Sequence, residues 1–205
     1  MSAPSSALIS QGTFNGMTDL NSLKDLTTGE NVVEFFQGVM KTNKNFNLYV
    51  TGHSLGGTLT PPMFAYLNDQ LYCSTFGNSM ALWSFAGLTA GDAGFNTYFN
   101  GLFKPQFQWR IHNDLDIAPF LFYSQDNVEN IYKPNKLDWG FPEDDFIKKL
   151  FNEAAGIGYA QPKGDHQLAG LFDQYIVDKY LWVAQALHQH HSTTYQTLVQ
   201  QQFPV

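Results

Sequence analysis

The sequence holds a single cysteine, Cys73. One thiol can form neither an internal disulfide nor a cysteine-based metal site, so neither device holds this fold together, and Cys73 reads as a small buried hydrophobe. No run of about 18 apolar residues occurs, which removes a membrane-spanning helix from the expected elements. The segment from Met1 to Ser6 lacks the positive charge of a signal peptide. Together these absences predict a soluble product without stable membrane insertion, cytoplasmic as the sequence stands and secreted if an N-terminal segment has been removed. Charge is scarce as well, at 14% of residues, and basic side chains are outnumbered 11 to 18, for a net charge of -7. That balance argues against nucleic acid or an anionic membrane surface as a partner and favours a neutral or cationic one.

Apolar material is plentiful: 43% of the 205 residues are hydrophobic and 16% aromatic, enough for one domain, residues 1–205, with a substantial core. There is no internal repeat. Ala7-Leu8-Ile9 reads as a short strand followed at once by Gln11-Gly12-Thr13, so close to Met1 that the fold is expected to be shortened at its N-terminus. Thr27-x-x-Glu30 has the form of a capping box, and Val32, Val33, Phe36, Val39 and Met40 share one helical face ending near Thr42. Residues 46–50 read as a strand, Gly52 to Gly57 as a sharp turn, and the stretch to Tyr72 as a helix. Leu82 to Ala86 and Phe107 to His112 are two further strands. Strands alternating with helices predict a mainly parallel sheet covered by helices on both faces. Residues 121–165 carry no clear strand and one helix from Glu143 to Ala155, and are expected to form an excursion over one face. A last helix is expected from Gln167 to about Leu187, with Leu171, Tyr175, Val177, Leu181 and Trp182 turned to the core.

Gly52-His53-Ser54-Leu55-Gly56 is a G-x-S-x-G pentapeptide whose context says more than its letters. A strand precedes it and a helix follows, the setting of a nucleophile elbow, in which a tight turn strains the serine backbone and lifts its hydroxyl above the sheet. The N–H of Leu55 then stands at the helix start, able to donate to a developing oxyanion. A serine needs a base and an orienting acid, in the order Ser, Asp, His for this kind of turn. Arg110 to Pro119 runs from a strand into a loop bearing Asp114 and Asp116, and six histidines are available. His53 lies inside the elbow and His112 precedes the acids, leaving His166, His188, His190 and His191. Pro61 and Pro62 fall inside the helix after the elbow, which predicts a kink or a late start there.

The stretches Val50 to Gly57, Phe85 to Asp92 with Phe95, and Arg110 to Pro119 resemble, in the same order, the class 3 lipase family of the α/β-hydrolase fold. The resemblance implies esterase or lipase activity on neutral acylglycerols or smaller carboxylic esters, with no metal or organic cofactor. It implies Ser54 as nucleophile and Asp116, rather than Asp114, as the acid, six residues after Arg110 and shortly before a proline. It ranks His191 first as base, since His191 to Tyr195 resembles a C-terminal loop leading into a tyrosine-bearing helix, with His190 second and His166 third. Gln11-Gly12-Thr13 resembles the family's glycine-threonine stretch and suggests Thr13 as second oxyanion donor beside Leu55, although Gln11 stands where the family has arginine. The run His188-x-His190-His191 lacks a partnered carboxylate or cysteine and is a weak metal motif. A non-catalytic binding protein of the same fold and an acyltransferase or peptidase on the same triad are the competing readings. The apolar side chains of residues 120–151, among them Phe120, Leu121, Phe122, Tyr123, Trp139, Phe141, Phe146, Ile147, Leu150 and Phe151, either pack as core or line an acyl groove.

Overall fold

The structure, a computed structural model, describes residues 6–43, 46–71, 80–102, 107–135, 137, 143–176 and 181–203. Cys73, Trp139, Phe141 and Val177 lie outside the described residues. Four strands, β1 (Leu48–His53), β2 (Met80–Phe85), β3 (Gln108–Asn113) and β4 (Asp165–Leu168), lie side by side in that order with every neighbouring pair parallel. Parallel neighbours require crossover connections. Here α3 (Leu55–Gln70) lies between β1 and β2, and α4 (Ala93–Asn100) between β2 and β3. The carboxyl ends of the strands therefore share one edge of the sheet, where sites of open α/β sheets gather. This is the α/β-hydrolase arrangement.

Alternation along the strands divides the core. Leu48, Met80 and Leu82 point to the face covered by Phe64 and Leu67 of α3 and by Phe95 and Phe99 of α4. On the opposite face Phe85, Ile111 and Leu168 meet Tyr195, Leu198 and Val199 of α8 (Ser192–Gln202). Further along that face Tyr49, Trp83 and Trp109 form a row of rings, the two tryptophans stacked at 4.7 Å.

Several elements depart from expectation. Ile9 makes an isolated antiparallel bridge to Gly91, and the chain passes at once into α1 (Gln11–Ser22), capped by the Ser10 side chain on Thr13 N–H. The capping box of α2 (Val32–Thr42) is built by Asn31 and Glu34, not by Thr27 and Glu30, because Asp25 draws the N–H groups of Thr27 and Thr28 into a turn. Where a helix was expected from Gln167, the chain first forms β4, then reaches α7 (Leu181–His190). Leu171 and Tyr175 are consequently exposed rather than core. β4 is fixed from its neighbour: Arg110 N–H donates to Gly164 O, and the Arg110 guanidinium pairs with Asp165. Burial lowers the pKa of Arg110, and Asp165 acts against it.

Residues 121–165 carry α5 (Gln125–Asn130) and α6 (Glu143–Ala154). Val128, Tyr132 and Ile147 pack with Trp182 and Ala186 of α7, and Leu150 and Phe151 flank them. Full burial of side chains of this size stabilises by about 1.5–3 kcal/mol each, so the excursion and α7 support one another. Among the described residues no helix is long and apolar enough to cross a membrane.

Candidate active site

β1 ends at His53, and Ser54 follows with φ 58° and ψ -121°, a conformation costly for a residue with a Cβ. The turn closes tightly around it. A Cβ on Gly52 would collide with the Gly56 backbone, and one on Gly57 with the Phe85 carbonyl, so only glycine serves at either position. Ser54 N–H donates to Phe85 O at 3.0 Å, tying the turn to β2. Leu55 is the first residue of α3, where an N–H has no acceptor within the helix and faces the positive end of its dipole. The expected late start is not seen: α3 begins at Leu55 and runs through both Pro61 and Pro62 to Gln70. Pro61 leaves the Gly57 carbonyl without its helical donor, and Ser84 Oγ of β2 donates to it at 2.9 Å instead.

Ser54 Oγ lies 2.7 Å from His190 Nε2, and His190 Nδ1 lies 2.9 Å from Asp116 Oδ2 and 3.1 Å from Oδ1. Asp116 is wholly buried and accepts from the Tyr195 hydroxyl at 2.8 Å and the Ala118 N–H at 2.9 Å. Tyr195 in turn accepts from Asn113 N–H at 3.0 Å. Burial and the nearby Asp116 raise the Tyr195 pKa well above its ordinary value, so the phenol remains a donor. Asn113 Nδ2 reaches both the carbonyl and the side-chain oxygen of Gln189, locking the last turn of α7 to β3. His53 packs its ring against His190, centroids 5.2 Å apart, and against Tyr195 at 5.3 Å.

The histidine beside Ser54 is thus His190, at the end of α7, and not the first-ranked His191. His191 caps α8, its Nδ1 accepting from Thr193 N–H at 3.3 Å. Tandem histidines at a helix end point in different directions, and only His190 continues the face formed by Trp182, Val183, Ala186 and Leu187. His166 is on β4, its ring 6.4 Å from that of Trp109. Asp114 serves structure, accepting from Gly170 N–H at 2.7 Å. Thr13, expected as a second oxyanion donor, has its N–H turned to Ser10 Oγ at 3.1 Å and its hydroxyl 2.7 Å from the same atom. It is a buried first-turn residue of α1, capped by Ser10, on the wall of the cavity that holds Ser54. Among the described residues no three His, Cys, Asp or Glu side chains are grouped to hold a metal.

Two cavities, each about 470 Å³, adjoin the Ser54–His190 pair, one at each residue. One is lined by His190 with apolar neighbours, among them Leu88, Ile117, Leu121, Phe146 and Leu187. The other contains Ser54 and Leu55 together with Ser10, Thr13, Thr89 and Tyr159. Residue Phe146, 62% exposed, and buried Ile147 place α6 on the rim of the apolar cavity.

A sequence profile for lipase (class 3) matches residues 3–125. The chain belongs to the class 3 lipase family. No curated protein matches the sequence. Among solved structures, this class 3 lipase chain is similar to M37 lipase, with 26% identity and a TM-score of 0.81, over 94% of this chain and 57% of that one. It shares the fold of a triacylglycerol lipase from Penicillium expansum, at 13% identity and a TM-score of 0.54, over 83% of this chain and 50% of that one. The fold also matches the Rhizomucor miehei lipase in a propeptide complex, at 18% identity and a TM-score of 0.52, over 82% of this chain and 41% of that one. The chain thus spans about half the length of the structures it matches.

Proposed function

We propose that this chain is a serine hydrolase of carboxylic esters acting through Ser54, His190 and Asp116. The observation that carries the reading is the continuous hydrogen-bonded run from Ser54 Oγ through both ring nitrogens of His190 to buried Asp116. His190 Nε2 takes the hydroxyl proton as Ser54 Oγ attacks the ester carbonyl carbon. Asp116 holds the Nδ1 proton and balances the imidazolium. Negative charge moves to the carbonyl oxygen, where Leu55 N–H and the α3 dipole receive it. Collapse expels the alcohol, which takes its proton from His190, and leaves an acyl group on Ser54. A water activated by the same imidazole then releases the acid.

The apolar cavity beside His190 supports an acyl chain of medium or long length. Six methylenes separate octanoate from acetate, and at about 0.8 kcal/mol per buried CH₂ they set an upper bound of about 5 kcal/mol. A half-open cavity realises part of that, so p-nitrophenyl octanoate is expected to exceed the acetate by at least about tenfold in kcat/KM. Phe146→Asn should narrow the ratio. The same panel run on Ser54→Ala should show no turnover above background, while retained turnover would refute the assignment, as would equal kcat/KM for the two chain lengths refute the acyl cavity. Assays with amide substrates and acceptor alcohols separate hydrolysis of esters from peptidase and acyl-transfer activity on the same triad, and an inert protein would favour a binding role.

A further inference from the structure

The last carbonyls of a helix have no donors within it. At the end of α7 they are held by side chains. Thr194 Oγ1 donates to His188 O at 2.7 Å and Asn113 Nδ2 to Gln189 O at 3.0 Å, and the backbone of His190 lies within reach of the His53 ring. The His53 and His190 rings are in contact, centroids 5.2 Å apart and tilted by 38°, while Tyr195 meets His53 nearly edge-on at 78°. His53 Nε2 is buried without a partner among the described residues, which leaves Nδ1 as the donating nitrogen. In that neutral tautomer only a lone pair is left bare. Protonation would bury an unpaired N–H and a second positive charge beside the base. The groups facing the ring bear this out in sign: burial first, then His190 and also His191 lower its pKa, outweighing Asp116 and the backbone hydrogen bond, which raise it.

We infer that His53 is a positioning residue for His190, setting the plane of the base through the contact between the two rings and through a hydrogen bond that its Nδ1 donates to the His190 backbone carbonyl. The inference rests on the triad reading above. Asp116 and Ser54 hold the two nitrogens of the His190 ring; a neighbour packed against the ring restrains the remaining rotation. His53 can do this without adding charge when His190 becomes imidazolium. It also precedes Ser54 directly in the chain, so the nucleophile and the support of its base move as one unit on the end of β1. An aliphatic residue at this position could fill the space but could not satisfy the His190 carbonyl.

The test divides the two contacts. His53→Phe keeps a ring without the donor, His53→Asn keeps a donor near Nδ1 without the ring, and His53→Ala removes both. Steady-state kinetics on p-nitrophenyl butyrate across pH, the rate of covalent labelling of Ser54 by a fluorophosphonate, and thermal unfolding are measured for each, beside Ser54→Ala. Expected are a drop in kcat of about tenfold for His53→Phe and His53→Asn and about a hundredfold for His53→Ala, with KM within about twofold and labelling slowed in parallel. Wild-type kcat and a wild-type labelling rate in the folded Phe and Asn variants, with Ser54→Ala inactive, would overturn the inference alone, even if His53→Ala failed to fold. Full turnover by Ser54→Ala would sink the triad reading and this inference with it.

Discussion

Tyr195→Phe removes one oxygen atom from the buried centre of the site and nothing else. That oxygen donates to Asp116 Oδ2 at 2.8 Å and accepts from Asn113 N–H at 3.0 Å. Tyr195 is 3% exposed and Asn113 wholly buried, so water does not readily replace the hydroxyl. Losing a hydrogen bond to a charged group costs about 1.5–3 kcal/mol, and leaving a buried backbone N–H unsatisfied costs about 1–3 kcal/mol. The two losses share one atom and do not add fully, so a net destabilisation of about 2–4 kcal/mol is expected. Urea unfolding followed by tryptophan fluorescence measures it, as a fall in midpoint at constant m-value. The effect on turnover should be smaller than loss of a triad member, because Asp116 keeps its contacts to His190 and Ala118 N–H. A decrease in kcat of about tenfold is expected. A variant within about 0.5 kcal/mol of wild type with unchanged kcat would refute the reasoning, since it would mean that the hydroxyl is not the link between β3, Asp116 and α8.

His190→Ala should reduce kcat by several orders of magnitude, whereas His191→Ala should keep most activity and cost about 1 kcal/mol of stability through the lost cap of α8, read by esterase assay and thermal melt. Asp116→Asn should lower kcat by about 10⁴, because the amide favours the wrong histidine tautomer, while Asp114→Asn stays within about tenfold. The reverse order would misplace the acid. Burial pushes the Asp165 carboxyl up, but the nearby His112 and Arg110 outweigh it and hold its pKa below the ordinary value. His112 Nδ1 is 3.0 Å from Asp165 Oδ1. A depressed carboxylate contributes stability above its unfolded pKa of about 3.9 and loses it as pH falls through the folded value. Asp165→Asn should therefore destabilise by about 1–2 kcal/mol at pH 7, discounted for the exposure of Asp165, with the gap to wild type closing below about pH 4 in urea melts.

What the sequence discloses about the fold is what local chemistry decides. The apolar and β-branched or aromatic side chains of residues 46–50, 82–86 and 107–112 declare three strands, which the structure places at 48–53, 80–85 and 108–113, β1 continuing through Gly52 and His53 where a turn is expected, and the elbow glycines declare the turn at Ser54. β4 does not, because Asp165-His166-Gln167-Leu168 is mostly polar and three of its four residues are exposed. Its strand character comes from pairing with β3 and from the Arg110–Asp165 contact, both made by residues distant in the chain. The start of α2 was misplaced for a related reason. Thr27 and Asn31 are both acceptable caps, and the choice between them falls to the Asp25 turn that occupies residues 25–29.

The site divides along the same line. Ser54 and Leu55 are legible since the turn that presents them is local, and Asp116 since it follows directly from β3. The base is not local to anything: it arrives from 74 residues beyond Asp116, and its neighbour in sequence has the same side chain. Yet a signal was present. Trp182, Val183, Ala186, Leu187 and His190 recur at helical spacing, and such a face carries its last member toward whatever the apolar members cover. They line the apolar cavity that His190 borders. His191, one residue on, is rotated by about 100° from that face and falls at the N-cap of the next helix, where its imidazole accepts from Thr193 N–H. Helix phase, rather than resemblance of the following loop, distinguishes the two histidines.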